Sequence, residues 1–236
     1  MLAQWLKESN YTVVFSGAGM STESGIPDFR SAQGLWRDKD PAKLASTFAL
    51  THNRAEFISF YQARIETVNR YAPHAGHERL ARWEKEGLIH YIITQNVDRF
   101  HQQAGSTRVA ELHGTIQQLR CEACGRKYPG ERYLQAGGTV CACGHFLRPC
   151  VVLFGEMLPE EALAAAERET LRAELFIVLG SSLQVSPANF FPQLAKQNGA
   201  KLVIVNEEPT PLDDLADLVI QNRKIGDVLT EVDQNL

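Results

Sequence analysis

The sequence predicts an α/β fold: a Rossmann-like, doubly wound parallel sheet that carries a small inserted cysteine-rich module and a helical insertion. Short, almost uninterrupted apolar runs predict strands that are buried on both faces. These runs alternate with helical patterns, which is typical of a parallel sheet covered on both sides. A stretch rich in glycine and cysteine, residues 117–150, breaks the alternation and predicts the inserted module.

The elements follow one another in a regular order along the chain. Strands are predicted at 11–16, 88–94, 175–180 and 201–206. Helices are predicted at 54–71, 74–86, 160–173 and 187–198. The order divides the chain into a Rossmann-like domain (1–30, 80–116 and 155–236) and a small domain of helices and the cysteine module (31–79 and 117–154).

Composition excludes several classes of protein. With 236 residues, 44% apolar and 22% charged, the chain is long enough to bury a full core and is unlike a disordered protein. The net charge of −4 and the lack of a basic block argue against direct nucleic-acid binding. No apolar run approaches the roughly 20 residues that cross a bilayer, and the N-terminus lacks a signal-peptide core. We therefore expect a cytoplasmic protein without membrane contact.

A glycine loop follows the first strand. Gly17 and Gly19 allow a tight turn in which backbone N–H groups approach a pyrophosphate, next to a predicted helix start that favours the negative charge. Thr22 stands where the usual dinucleotide fingerprint has its third glycine, so an ordinary strand-to-helix turn remains an alternative. Arg30, at the end of the loop, either pairs a phosphate or caps a helix.

Polar residues also follow the second predicted strand. Gln95, Asn96 and Asp98 stand at its carboxyl end, where ligands of open α/β sheets bind. An Asn-x-Asp pair in this position can equally cap the following helix. The sequence leaves both interpretations open.

Four of the five cysteines form two close pairs. Cys121, Cys124, Cys141 and Cys143 offer the four thiolates of a closed, structural zinc site, in which no position is left for water. The second pair has one intervening residue instead of the commoner two, and Gly144 permits the tight turn this needs. The alternative is buried free thiols. Cys150 is predicted not to be a ligand.

Motifs along the whole chain resemble those of the sirtuins, the NAD-dependent protein-lysine deacylases, in the order and spacing of that family. The matching segments are GAGMSTESGIPDFR (17–30), TQNVD (94–98), LHG (112–114), the four cysteines, LRP (147–149), FGEMLP (154–159), GSSLQVSP (180–187) and VN (205–206). The resemblance implies an enzyme that splits the bond between nicotinamide and ribose in NAD and transfers the acyl group of an acyl-lysine to ADP-ribose.

The resemblance also implies roles for individual residues. His113 matches the catalytic general base, and Phe29 matches an aromatic that shields the reaction centre. The implied NAD contacts are Gly17, Ala18, Gly19, Thr22, Ile26, Asp28, Phe29, Arg30, Gln95, Asn96, Val97, Asp98, His113, Gly180, Ser181, Ser182, Asn206 and Ile225. The implied contacts with an acyl-lysine protein or peptide, which would pair as an added strand with 154–156 and 184–186, are Tyr61, Arg64, Val151, Phe154, Gly155, Glu156 and Val185.

Tyr61 and Arg64 raise the question of which acyl group is removed. They stand three residues apart on a predicted helix and resemble the Tyr-x-x-Arg pair with which some sirtuins hold the carboxylate of succinyl- or malonyl-lysine. Relatives of that type usually have Ala and Thr where this chain has Thr22 and Asp28. We expect deacetylation, with desuccinylation or demalonylation as an additional activity. The rival functions are a mono-ADP-ribosyltransferase, a nucleic-acid-binding zinc ribbon and a non-catalytic NAD sensor.

Overall fold

The computed structural model describes residues 1–31, 34–37 and 40–236. Its strands are β1 (Thr12–Ser16), β2 (Tyr91–Thr94), β3 (Val109–Glu111), β4 (Gly114–Cys121), β5 (Lys127–Pro129), β6 (Leu147–Val151), β7 (Leu175–Leu179), β8 (Lys201–Val205) and β9 (Leu218–Ile220). Its α-helices are α1 (Leu2–Glu8), α2 (Pro41–Leu44), α3 (Thr47–His52), α4 (Arg54–Asn69), α5 (Ala75–Lys85), α6 (Phe100–Gln103), α7 (Glu160–Arg172), α8 (Phe190–Gln197) and α9 (Ile225–Gln234). Short 3₁₀ helices cover Ala18–Ser24, Gly130–Leu134 and Asp213–Leu215.

The larger sheet is parallel throughout. Within the described ranges its strand order is β3-β2-β1-β7-β8-β9, and every neighbouring pair runs in the same direction. The chain moves outward from β1 to β3 on one side and from β7 to β9 on the other. The order therefore reverses between β1 and β7, and such a switch point is where open α/β sheets bind their ligands, beyond the carboxyl ends of the strands.

Helices cover both faces of this sheet. Val14 of β1 and Ile177 of β7 face one apolar cluster, which includes residues of α1, α5 and α9. Phe15 of β1 and Phe176 of β7 face a second cluster with α7 and α8. Both faces are covered because consecutive strand residues point to opposite sides. The predicted doubly wound fold is confirmed.

A second lobe has its own core. Its antiparallel sheet has the order β5-β4-β6 in the described part of the chain, and its core combines residues of α3, α4, β4 and β6. The helical insertion and the cysteine module thus share one apolar cluster.

Two predicted domain boundaries fall inside elements: 79/80 lies within α5 and 116/117 lies within β4. No helix among the described residues is long and apolar enough to span a membrane.

The glycine loop differs from the prediction. Residues 18–24 form a seven-residue 3₁₀ helix instead of the start of an α-helix, and it ends at Gly25 with φ +99°. A left-handed residue stops the helix there because glycine adopts that conformation without a steric cost. The helix start predicted to favour a negative charge is therefore a 3₁₀ turn, in which the Gly17 and Gly19 N–H groups are already hydrogen-bonded within the chain.

Candidate functional site

Two loops meet at the switch point of the larger sheet. Gly17 and Gly19 follow β1, and Gly180, with φ +63°, follows β7. The Gly19 N–H donates to the Gly180 carbonyl at 2.9 Å. A Cβ atom on Gly19 would lie 2.8 Å from the Gly180 Cα, and one on Gly180 would lie 2.4 Å from the Met20 N. Only glycines permit this approach, which brings both strand ends to one place.

A cavity of about 310 Å³ opens beside these loops. Its volume is at the lower end of the range typical of small-ligand sites. Of the predicted NAD contacts, Phe29, Arg30, Ser182 and Asn206 line it. The remaining lining residues are Trp36, Arg37, Gln184, Glu208 and Pro209. Burial lowers the pKa of Arg30, but an arginine stays charged at neutral pH and can pair a phosphate.

The segment after β2 is held against both loops by side-chain hydrogen bonds. The Gln95 Nε2 donates to the Ser181 Oγ at 2.8 Å, and the Asn96 Nδ2 donates to the Ser21 Oγ at 3.2 Å. The Ser21 hydroxyl in turn donates to the Asp98 carboxylate at 2.8 Å. The structure thus brings together polar groups that the sequence separates by more than seventy residues.

Asp98 accepts hydrogen bonds from the glycine loop and from the segment that follows it. Its Oδ1 accepts from the N–H of Phe100, the first residue of α6, at 2.9 Å, while its Oδ2 accepts from Ser21. Burial raises the pKa of Asp98, although the hydrogen bonds from Phe100 and Ser21 oppose that rise. The carboxylate is therefore fixed in place between the glycine loop and α6.

His113 lies between this site and the second lobe, in the turn between β3 and β4. Its Nδ1 is 3.1 Å from the Gln95 carbonyl oxygen. Because a carbonyl only accepts, Nδ1 carries the proton and Nε2 of the neutral ring is free to accept one. Burial lowers the pKa of His113, the hydrogen bond to Gln95 raises it by less, and the Arg30 charge lowers it further. The ring is therefore a neutral base at pH 7.

Tyr61 and Arg64 lie on the buried face of α4, next to the cavity. The guanidinium of Arg64 lies over the Phe29 ring at 4.9 Å, and Phe29 contacts Trp36 with ring centres 5.2 Å apart. Arg64 is only 9% exposed, and its buried Nη1 has no hydrogen-bond partner among the described residues. Burial lowers the pKa of Arg64 and raises that of Tyr61. An unpaired buried guanidinium N–H is costly, so it is a position where a ligand oxygen would be stabilised.

The segment predicted to pair with a peptide lies at the rim of the second lobe. The Phe154 N–H donates to the Ala45 carbonyl at 2.9 Å, and the Phe154 carbonyl accepts from the Thr47 N–H at 3.0 Å. The backbone groups of Gly155 have no hydrogen-bond partner within the described ranges. Phe154 itself is therefore already paired on one edge, and the backbone groups open to an added strand are those of Gly155.

Some predicted site residues occupy supporting positions. Ile26 and Val97 pack on the core of the second lobe, and Ile225 is buried in the apolar cluster under the larger sheet. Asp28 accepts from the Arg30 and Ser31 N–H groups, and Thr22 donates to the Gly19 carbonyl. These residues shape the loops. Val151 is buried, and Val185 is half-buried in the loop before α8.

Sequence reasoning missed several residues of the site. Ser21 connects Asn96 to Asp98, and its position inside the glycine loop was a signal that could have identified it. Trp36, Glu208 and Pro209 line the cavity, but no local pattern marks the last two. They reach the cavity because the loops after β1 and β8 lie at the same edge of the sheet.

The four predicted metal ligands form one cluster. Their Sγ atoms all lie within 4.8 Å of one another, with Cys121 to Cys143 at 3.5 Å and Cys124 to Cys141 at 3.7 Å. Four thiolates around a tetrahedral zinc at about 2.3 Å lie roughly 3.8 Å apart, so the cluster fits that ion. Gly144, with φ +84°, makes the predicted tight turn. Backbone N–H groups lower the pKa of Cys121 and Cys141, which favours their thiolates.

Comparison with known proteins identifies the family. The model of the Sir2 family matches residues 17–187. The chain is 58% identical over 236 residues to an NAD-dependent protein deacetylase of Halalkalibacterium halodurans, covering 100% of this chain and 99% of that protein.

Two further matches agree. An NAD-dependent protein deacetylase of Oceanobacillus iheyensis is 56% identical over 233 residues, covering 98% of each chain. A solved Sir2 complex with a p53 peptide and NAD+ is 40% identical and superimposes with a TM-score of 0.89, covering 99% of this chain and 96% of that one. The predicted resemblance is confirmed: the chain belongs to the Sir2 family, the sirtuins.

Proposed function

We propose that the chain is an NAD-dependent protein-lysine deacetylase that releases nicotinamide and transfers the acyl group to ADP-ribose. The observation that carries this is the placement of His113. Its Nδ1 is bound to the Gln95 carbonyl, and its backbone carbonyl accepts from the Val152 N–H at 2.9 Å, next to the peptide segment. A neutral base thus stands between the nucleotide loops and the segment offered to a peptide. The deacetylases of Halalkalibacterium and Oceanobacillus support the same activity.

The positions of the site residues indicate what each would do in the proposed reaction. Gly17 and Gly19 are proposed to let the loops approach the phosphates and ribose of NAD closely. Ser181 is proposed to present its hydroxyl group, and Arg30 to add a positive charge. Asn96 and Asp98, fixed through Ser21, hold the nicotinamide end. Phe29 covers that end and excludes water, which would otherwise compete with the acyl-lysine. The Nε2 of His113 takes a proton from a ribose hydroxyl.

The remaining proposed contacts concern the partner and the metal. Val151, Gly155 and Val185 are proposed to line the course of an acyl-lysine peptide, which binds mainly through its backbone. The four-cysteine cluster is proposed to hold one zinc ion that stabilises the second lobe, because its thiolates leave no open position for chemistry. The proposed partners are proteins and not nucleic acids, and the cytoplasm is the proposed compartment because thiols stay reduced there.

The direct test is incubation with NAD and an acetyl-lysine peptide, followed by mass spectrometry. Deacetylation yields nicotinamide, free lysine and O-acetyl-ADP-ribose in equal amounts. A mono-ADP-ribosyltransferase would instead yield ADP-ribosylated protein, and that result would replace the proposal. An NAD sensor would bind NAD and release no nicotinamide.

A pH profile tests the proposed base. His113 must be neutral to accept a proton, and its pKa lies below the ordinary histidine value because of burial. The neutral fraction falls only as the pH falls through that lowered pKa. We therefore expect kcat/KM for NAD to be level through neutral pH and to decline with a midpoint below about 6.5, the unperturbed histidine value. A midpoint above that value would contradict the assignment.

Desuccinylation is a second proposed activity, and the unpartnered Nη1 of Arg64 favours it. The carboxylate of a succinyl group would supply the acceptor that this buried guanidinium lacks. Arg64→Met should lower kcat/KM for a succinyl-lysine peptide about 10-fold or more beyond its effect on an acetyl-lysine peptide, because hydrogen bonds to charged groups contribute about 1.5–3 kcal/mol.

The ratio of the two rates is the decisive measurement, since Arg64 also contacts Phe29 and its loss affects both substrates. Arg54→Met, a change of another α4 arginine that contacts Phe146 in the cysteine module, is the matched control and should leave the ratio unchanged. Equal losses with both substrates in Arg64→Met would assign Arg64 to the fold alone.

A further inference from the structure

An ion pair between a buried arginine and a partly buried glutamate joins the cysteine module to the peptide segment. Arg148 lies on β6, and its side chain is 1% exposed. Its Nη1 donates to the Glu156 Oε1 at 2.6 Å, and its Nη2 donates to the Glu156 Oε2 at 2.9 Å. This bidentate arrangement fixes both the distance and the orientation of the two groups.

The same two side chains hold the backbone between them. The Nη2 of Arg148 also donates to the Val151 carbonyl at 2.6 Å, and the Glu156 Oε2 accepts from the Leu153 N–H at 2.9 Å. The turn is closed further by the Glu156 N–H, which donates to the Leu153 carbonyl at 2.9 Å. Both carboxylate oxygens of Glu156 are thus occupied within the chain. The Glu156 side chain therefore shapes the peptide segment.

The other end of the network lies next to a metal ligand. β6 pairs with β4 so that Leu147 stands opposite Cys121 and Arg148 opposite Arg120. The Glu122 Oε1 is 3.9 Å from the Arg148 Nε. Arg148 therefore lies on β6, which pairs with the strand that ends in Cys121. Its side chain contacts Glu122, the residue after that cysteine.

We propose that Arg148 is a positioning residue for the substrate. Its hydrogen bonds join the folded cysteine module to the Phe154–Gly155–Glu156 segment and hold that segment in the conformation that binds the peptide. The inference rests on the proposed deacetylase function. Without the bidentate pair, the turn at 152–156 loses its attachment to Arg148 at Glu156, the residue after Gly155, whose backbone groups are the ones open to an added strand. Within the described residues, the hydrogen bonds and ion pairs of Arg148 and Glu156 all join residues of the segment 120–156 and not the nucleotide loops, so NAD binding should change little.

The test compares Arg148→Met, Arg148→Lys and the double variant Arg148→Met/Glu156→Gln. We expect the Met variant to raise KM for an acetyl-lysine peptide about 10-fold or more, with KM for NAD changed less than about 2-fold, since a small misplacement of a binding segment costs this much. The Lys variant keeps the charge but loses the fork, and its peptide KM should lie between those of the wild type and the Met variant.

The double variant separates geometry from uncompensated charge. Removing Arg148 alone takes away the bidentate partner of the partly buried Glu156 carboxylate and leaves only the exposed Arg120, 3.8 Å away, as a nearby cation, which is destabilising. The double variant also removes the Glu156 charge, so no carboxylate is left without its bidentate partner. The segment still lacks the hydrogen bonds that position it, so the peptide KM should stay above the wild-type value. Recovery of a wild-type peptide KM in the double variant would overturn the proposal.

Arg120→Gln is the matched control. Arg120 is 46% exposed and 3.8 Å from the same Glu156 oxygen, and an exposed pair of this kind contributes little. Its peptide KM should stay near the wild-type value. Zinc content and thermal unfolding are measured for every variant: loss of zinc or of cooperative unfolding in all three Arg148 variants would assign Arg148 to the fold alone and overturn the proposal.

A binding measurement keeps this inference distinct from the proposed function. Fluorescence anisotropy of a labelled acetyl-lysine peptide requires no turnover. If the wild type binds the peptide but does not deacetylate it, the proposed function fails, while weaker peptide binding by the Arg148 variants would still support the positioning role. Unchanged peptide binding in Arg148→Met would overturn the positioning role, even in an active enzyme.

Discussion

Replacing His113 with alanine should lower the turnover of deacetylation by about 10²–10⁴, the usual contribution of a positioned general base. The affinity for NAD should stay within a few-fold of the wild type, because a base contributes to the chemical step and the nucleotide is held by the glycine loops. The fold should tolerate the change: the ring is half-buried, and its side-chain hydrogen bond is a single contact with the Gln95 carbonyl.

Steady-state formation of the deacetylated peptide and NAD binding by calorimetry measure the two effects separately. His52→Ala is a suitable control, since His52 is an exposed histidine of α3 outside the cavity lining. It should retain wild-type turnover. Near-normal turnover in His113→Ala would remove His113 from the proposed catalytic role.

The strands were predictable because burial on both faces leaves a continuous apolar run. The residues at which the strands begin and end were not predictable. The predicted strand 88–94 begins in the structure at Tyr91, because Leu88 and Ile89 donate to the Trp83 carbonyl and close the end of α5. Gly87, with φ +78°, makes that turn possible. An apolar pattern reports which residues are buried, and it does not distinguish strand hydrogen bonds from those of a helix terminus.

The 3₁₀ geometry of the glycine loop was hidden for a different reason. The loop is shaped by the Gly180 carbonyl, which accepts from the Gly19 N–H across more than 160 residues of sequence. Local propensity contains no information about that partner. The four cysteines, by contrast, were predictable as a cluster because ligand type and spacing are local properties.

Arg64 and Arg148 show the same limit at the level of side chains. Helical spacing correctly places Tyr61 and Arg64 on one face of α4, but the sequence does not reveal that this face is buried or that one guanidinium N–H lacks a partner. The resemblance identifies LRP and FGEMLP as motifs, while the ion pair between Arg148 and Glu156 appears only when β6 and the turn after it are folded. Side-chain partners of this kind can therefore be identified only in the three-dimensional structure.

Removing the metal should have the largest effect on stability. A closed four-thiolate zinc site contributes about 10–16 kcal/mol of apparent binding free energy in zinc-finger peptides, which is comparable to the whole stability of a typical domain, about 5–15 kcal/mol. In this chain Cys121 lies at the end of β4, opposite Leu147 of β6. Loss of zinc should therefore loosen both strands and the shared core of the second lobe.

We expect Cys124→Ser, or prolonged treatment of the wild type with a strong chelator, to lower the unfolding temperature and abolish deacetylation. Activity is lost indirectly, because β6 carries Arg148 and leads into the peptide segment. Cys150→Ser is the matched control: Cys150 is a half-buried thiol on β6 that lies outside the four-cysteine cluster. That variant should keep about one zinc per chain and its activity. Metal analysis that finds no zinc in purified, active wild-type protein would refute the assignment of the cluster.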